Sequence, residues 1–147
     1  MKFVDLQGQF AAYETAIRAE IEDVLRTAQF IMGPKGAALE KSLAEHTGAK
    51  YAFGCSSGTD ALFLALMAYG VSAGDEVVTT PFTFVATAEA IALTGATPVF
   101  ADIDRFTYNI DPAQIEAAVT KKTRGIIAVS LYGQCAEMEA IGKIAAQ

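Results

Sequence analysis

From Lys50 onward short apolar runs alternate with helical stretches, and this alternation limits the fold more than any other feature of the chain. Residues 51–55, 76–79, 97–101 and 125–129 read as strands. Residues 59–69, 84–94 and 111–119 read as helices, and 137–146 as a last one. The strand runs are apolar throughout, a pattern needed when both faces of a sheet are covered. Local punctuation agrees with these boundaries. Pro81 cannot extend a ladder, Gly95 stops a helix, and Asp111-Pro112 supplies a cap followed by a first-turn proline. The expected fold class is α/β, with a mainly parallel sheet and helices on both faces.

The part before Lys50 has a different period. In residues 9–28, Phe10, Tyr13, Ile17, Ile21, Val24 and Leu25 recur at spacings of 3 and 4, opposite Glu14, Arg18, Glu22 and Asp23. Phe30-Ile31-Met32-Gly33-Pro34 breaks this helix, and a second one runs from Pro34 to Gly48. The expected division is a helical segment at 1–48 and an α/β part at 49–147.

Hydrophobic residues make up 52% of the 147, more than a small solvated domain needs, so part of the surface is expected to be covered. No apolar run reaches the roughly 18 residues of a membrane span. Met1-Lys2-Phe3-Val4-Asp5 lacks the apolar core of a signal peptide, and the expected compartment is the cytoplasm. Cys55 and Cys135 read as two buried, reduced thiols. The net charge is −6, and the single basic cluster, Lys121-Lys122 with Arg124, reads as a solvated turn rather than a nucleic-acid patch. The 137–146 helix has no strand after it to return to, so the domain is expected to continue past Gln147.

Three stretches follow strands and could carry chemistry. Ser56-Ser57-Gly58-Thr59-Asp60 leads into a helix. Free N–H groups of the first turn, the helix dipole and the Ser57 and Thr59 hydroxyls suit a phosphate, with Gly58 allowing close approach. The same residues also read as a plain helix cap. In Pro81-Phe82-Thr83-Phe84-Val85-Ala86-Thr87, an aromatic could stack on a flat ligand at the carboxyl edge of the sheet. Phe82 reads as core, and Phe84 fits either role. Tyr132-Gly133-Gln134 could offer polar contacts there, or be an ordinary loop. The lone His46 reads as a surface residue at a helix end, and Asp102 and Asp104 as part of a loop rather than a metal site. There is no GxGxxG and no GxxxxGK[ST]. Lys2, Lys35, Lys41, Lys50, Lys121, Lys122 and Lys143 all fall at a terminus, a helix face or a turn.

An ordered series of motifs covers essentially the whole chain. It comprises Phe3-Val4-Asp5-Leu6, Phe30-Ile31-Met32-Gly33-Pro34 with Leu39-Glu40, Gly48-Ala49-Lys50-Tyr51-Ala52, Ser57-Gly58-Thr59-Asp60-Ala61-Leu62 and Gly74-Asp75-Glu76-Val77. It continues with Thr83-Phe84-Val85-Ala86-Thr87, Gly95-Ala96-Thr97-Pro98-Val99, Asp102-Ile103-Asp104, Tyr108-Asn109-Ile110-Asp111-Pro112 and Leu131-Tyr132-Gly133-Gln134. In this order the motifs resemble the DegT/DnrJ/EryC1/StrS sugar aminotransferases, of pyridoxal 5'-phosphate (PLP) fold type I.

The resemblance implies that the chain is the first part of the large PLP-binding domain, truncated. It implies PLP as cofactor, with Gly58 and Thr59, and less firmly Ser57, on its phosphate and Phe84 against its ring. It assigns no catalytic residue to this chain, because the family's Schiff-base lysine would lie beyond Gln147, and this piece alone is expected to be inactive. The implied reaction moves an amino group from glutamate to a nucleotide-linked keto-sugar in a homodimer. Phe82-Thr83-Phe84-Val85-Ala86-Thr87-Ala88-Glu89 with Ser130-Leu131-Tyr132-Gly133-Gln134-Cys135-Ala136 looks similar to the branch using UDP-2-acetamido-2-deoxy-3-oxo-glucuronate, which supplies lipopolysaccharide O-antigen sugars. The alternatives are a 4-keto-6-deoxy nucleotide sugar as substrate, a non-catalytic folded module of the same ancestry, or a nucleotide-binding domain using the Ser57 turn.

Overall fold

The computed structural model describes residues 3–147; Met1 and Lys2, the latter among the lysines considered above, lie outside the described residues. The chain forms two compact units, Met1–Gly54 and Cys55–Gln147.

The first unit holds α1 (Leu6–Thr27) and α2 (Pro34–Thr47). Helix α1 begins three residues earlier than its apolar period suggests. The Asp5 carboxylate accepts the Gly8 N–H at 3.1 Å and caps it there. Helix α2 starts on Pro34 and ends at Gly48, as read. Lys35 of α2 reaches Glu20 at 2.5 Å and Asp23 at 3.2 Å on α1. The bond from Lys35, with a second from Arg26, holds the Asp23 carboxyl below its ordinary pKa. These groups are solvated, so the pairs orient the helices more than they stabilise them. Neither helix buries a residue, and the Phe10, Tyr13, Ile17, Ile21, Leu25 stripe is exposed. The strand expected at 51–55 is not formed. No strand among the described residues pairs with it, and an apolar run without a ladder partner has nothing to hold it as a strand.

The second unit is a three-layer α/β arrangement. Strands β1 (Glu76–Thr79), β2 (Thr97–Phe100) and β3 (Thr123–Ile126) form a parallel sheet in the order β2-β1-β3. Successive side chains of a strand face opposite sides. Val77, on one side, packs with Leu66, Ala90 and Ile91 from α3 (Gly58–Ala68) and α4 (Ala86–Leu93). Val78, on the other, packs with Ile115 and Ile141 from α5 (Pro112–Ala118) and α6 (Met138–Ala145). Both valines are wholly buried, each contributing roughly 1.5–3 kcal/mol of hydrophobic stabilisation. This is the doubly covered parallel sheet that the apolar strand runs imply.

Edge positions follow from backbone chemistry. Thr97 and Ala101 donate their N–H groups to Asp75 and Thr79. The alternation of the ladder therefore turns the Pro98 nitrogen, which has no hydrogen to give, away from β1. Strand β3 differs from the expected 125–129. Thr123 lies opposite Glu76 and Gly125 opposite Val77, so Arg124 is an extra residue in a bulge. The bulge brings Thr123 into the ladder, and after the Ile127 N–H bonds to the Val78 carbonyl oxygen at 2.8 Å the chain leaves it. Helix α4 starts at Ala86 rather than 84, because the Thr80 hydroxyl accepts the Phe82 N–H at 3.1 Å and holds 81–84 in a bend. Gly95, at φ 84°, ends the excursion after α4, and a Cβ there would come 3.2 Å from that of Ala73. The cysteines are free, as expected, but both are exposed rather than buried.

Candidate functional site

Three loops and one helix start converge on the carboxyl edge of the sheet. From there β1 leads into α4 on one face of the sheet, and β3 leads into α6 on the other. Adjacent parallel strands whose connections part to opposite faces open a crevice, the usual ligand position in such sheets. The short connection 69–75 joins the end of α3 to the start of β1. With α3 packed against the sheet, its N-terminus is thus directed to the same carboxyl edge.

Ser57 is the N-cap of α3. Its backbone is extended, and its Oγ accepts the Asp60 N–H at 3.1 Å. Its carbonyl accepts the Ala61 N–H at 3.0 Å. The N–H groups of Gly58 and Thr59, the first two helical residues, find no acceptor among the described residues. Gly58 has no heavy atom within 4 Å of where a Cβ would stand, so its side-chain side is open. Asp60 is occupied locally, bonded to the Ser56 hydroxyl. The helix dipole and these donors fit an anionic oxygen cluster, and they coexist with the capping role of Ser57.

Phe84 lies in the loop after β1 and is 76% exposed, with no aromatic neighbour among the described residues. Phe82 was expected in the core, yet it is also exposed, its ring tilted against Tyr108 at 5.8 Å. The bend that delays α4 turns this residue out to meet the loop after β2. Tyr132 sits in a 3-10 turn, Leu131–Gly133, at φ 56°, and is exposed. The sequence left this stretch as either a source of polar contacts or an ordinary loop, and it is a tight turn.

The loops are bound to one another. Thr79 Oγ1, at the end of β1, donates to the Ile127 carbonyl oxygen at 3.0 Å. Asn109, only 3% exposed, donates through Nδ2 to the carbonyl oxygens of Gln134 at 3.2 Å and Cys135 at 3.1 Å. Its Oδ1 is buried without a partner. Two such bonds contribute about 1 kcal/mol each, and an unsatisfied buried acceptor costs about 1–3 kcal/mol, so the residue adds little net stability. Neither Thr79 nor Asn109 stood out as a site residue in the sequence. The signal available was a polar residue inside an apolar stretch, beside Ile110 and the Asp111-Pro112 cap.

The remaining polar candidates have structural duties. Asp104 Oδ1 accepts the N–H groups of Thr107 at 2.8 Å and Phe106 at 3.0 Å. Those two bonds hold its carboxyl below the ordinary value. Asp102 accepts the Ile103 N–H. No group of three or more metal-ligating side chains occurs among the described residues. His46 is exposed in the last turn of α2, and Lys121 and Lys122 form an exposed turn before β3. No helix among the described residues is long and apolar enough to cross a membrane.

The fold and the edge define a class: an α/β domain with an anion-ready helix start and an exposed aromatic in the loop after β1. Residues 12–147 match the model of the DegT/DnrJ/EryC1/StrS aminotransferase family, and the chain belongs to that family. It is 53% identical over its whole length to the UDP-2-acetamido-2-deoxy-3-oxo-D-glucuronate aminotransferase of Pseudomonas aeruginosa, covering 41% of that protein. It is 48% identical, over 97% of its length and 38% of the relative, to the UDP-N-acetyl-3-dehydro-alpha-D-glucosamine 3-aminotransferase of Acidithiobacillus ferrooxidans. A crystal structure of a family aminotransferase from Brucella abortus superposes with a TM-score of 0.94 at 40% identity, over 99% of this chain and 41% of that one. A Bacillus subtilis relative solved with the bound cofactor PMP (pyridoxamine 5'-phosphate) superposes at 0.86 with 38% identity, over 88% and 30%. The chain thus spans about two fifths of the length of the curated relatives it matches. The likeness identifies the fold as that of the PLP fold type I aminotransferases, of which this chain forms part of the large domain. The family's cofactor is PLP. A phosphorylated flat ring fits the residues present: free donors and open space at Gly58, and an uncovered ring at Phe84.

Proposed function

We propose that the whole protein is a PLP-dependent nucleotide-sugar aminotransferase and that residues 49–147 are the first part of its cofactor domain, after a helical segment at 1–48. The observation that carries the reading is the start of α3, where the Gly58 and Thr59 N–H groups have no acceptor among the described residues and the Cβ side of Gly58 is open. In this reading those donors and the Ser57 and Thr59 hydroxyls hold the cofactor phosphate. The exposed Phe84 ring lies against the pyridine face and excludes water from it. When bound, PLP supplies the electron sink for moving the amino group; this chain's residues bind and orient it. The lysines of the second unit support a purely binding role. Lys121 and Lys122 precede β3, and Lys143 pairs with Glu139 at 3.0 Å on α6. In line with the family resemblance, the Schiff-base lysine is assigned outside this chain, and the 147 residues alone are proposed to be inactive in transamination.

For the acceptor, the two relatives described above are both named for sugars with the keto group at carbon 3. Together with the 82–89 and 130–136 stretches, this favours UDP-2-acetamido-2-deoxy-3-oxo-glucuronate, with glutamate as donor, a homodimer as the working form, a cytoplasmic location and a role in O-antigen sugar supply. Assaying the whole enzyme with glutamate against this sugar and a 4-keto-6-deoxy nucleotide sugar tests it. Turnover of the first by at least tenfold in kcat/KM is expected. A reversed preference would replace the substrate, and no transamination of either would remove the functional reading.

A further inference from the structure

We propose that Asn109 is a positioning residue, a clamp by which the loop after β2 fixes the loop after β3 at the cofactor edge. The inference rests on the cofactor reading above. Both Nδ2 hydrogens of Asn109 are committed to consecutive carbonyls, those of Gln134 and Cys135. These residues directly follow the 3-10 turn that carries Tyr132 and Gly133, both at positive φ. A non-glycine residue in that region persists only where its surroundings hold it. The bonds that hold this turn locally are the Gly133 N–H to Ser130 at 3.2 Å and the Gln134 N–H to Leu131 at 3.3 Å, and neither reaches outside the loop. The Ser130 hydroxyl accepts the Ala136 N–H at 3.4 Å. The buried amide thus ties this loop to the rest of the unit through hydrogen bonds, ahead of Ala136, which is packed in the core.

Asn109 is itself fixed. Its carbonyl accepts the Asp104 N–H at 2.9 Å, its N–H reaches Thr107 Oγ1 at 3.3 Å, and the Ile103–Ile110 bridge closes the hairpin around it. Before it, Tyr108 meets Phe82 of the loop after β1. One short hairpin therefore grips the loops after β1 and β3, on the two sides of the crevice. An apolar residue of the same size would fill the space and remove the unpaired Oδ1. An amide there answers the two carbonyls instead.

The test uses Asn109→Leu, which keeps the volume and drops the donors, and Asn109→Asp, which keeps the shape and sets a carboxylate against two carbonyls. In the whole protein, backbone hydrogen exchange of 130–136 is compared with that of β1 in the same samples, and pyridoxamine 5'-phosphate binding is measured by titration. For both variants, exchange in 130–136 is expected to rise about tenfold while β1 is unchanged, with binding weakened about tenfold. Unchanged exchange at 130–136 in Asn109→Leu overturns the clamp, since volume alone then holds the loop. Exchange rising equally in β1 overturns it as well, because the residue is then part of the general core. Selective loosening of 130–136 with undiminished binding overturns its link to the cofactor. If the whole protein without substitution does not bind pyridoxamine 5'-phosphate while the exchange result stands, it is the cofactor reading that fails and the clamp that survives.

Discussion

The Thr79 hydroxyl donates to the Ile127 carbonyl oxygen at 3.0 Å, joining the carboxyl ends of β1 and β3 where the backbone ladder stops. Thr79 is wholly buried, so its hydroxyl has no water to turn to. Thr79→Val keeps the shape and removes the donor. It is expected to lower stability by about 1–2 kcal/mol, read as a lower urea midpoint at constant slope. A change in slope would mean instead that the compactness of one state had changed.

Ser57 has two duties that a pair of variants separates. As a cap, Ser57→Ala should cost about 1 kcal/mol, and Ser57→Gly a few tenths. As a phosphate ligand, both variants lose the same hydroxyl. Pyridoxamine 5'-phosphate affinity is therefore expected to fall by a similar factor in each, while only the alanine variant melts appreciably lower. If affinity follows the melting temperature through the series, Ser57 is a cap and no more.

The fold was legible where a residue's local chemistry and its tertiary role agree. Pro34, Asp111-Pro112 and Gly95 punctuate the chain as read, and the apolar 76–79 run is the central strand. Most of the misreadings turn on a deciding partner that is distant in sequence or absent from the described residues. Residues 51–55 have strand composition but no neighbour to pair with, and the β3 bulge at Arg124 is visible only against Glu76 and Val77. Phe82 looks like core until the Thr80 turn rotates it out to Tyr108. The Ser57-Gly58-Thr59 start was visible because capping and anion binding use the same local atoms. The ties through Thr79 and Asn109 were not, since each joins residues at least 25 positions apart.

Phe84 offers the cleanest separation of binding from folding. An exposed ring with no aromatic neighbour among the described residues contributes little to the core, so Phe84→Leu should change stability by no more than about 0.5 kcal/mol. Loss of ring stacking is worth about 0.5–1.5 kcal/mol, or roughly two- to tenfold in affinity. Titration with pyridoxamine 5'-phosphate should show this loss for Leu and its recovery in Phe84→Tyr. Equal binding by all three would leave Phe84 with no role at the ring.

The hairpin that carries Asn109 should loosen in acid. Asp104 accepts N–H bonds from Thr107 and Phe106, which lower its carboxyl pKa from an ordinary 3.8. A group depressed in the folded state stabilises that state fully above its unfolded pKa and loses the contribution as pH falls through the folded one. Protection of the hairpin amides is therefore expected to be constant above about pH 5, and to decline below about pH 4 once the intrinsic acid dependence of exchange is divided out. Asp104→Asn keeps an oxygen in place to accept both bonds and cannot ionise, so its corrected profile should be flat over the same range. A decline of equal size in that variant would show that the acid sensitivity of the hairpin does not come from Asp104.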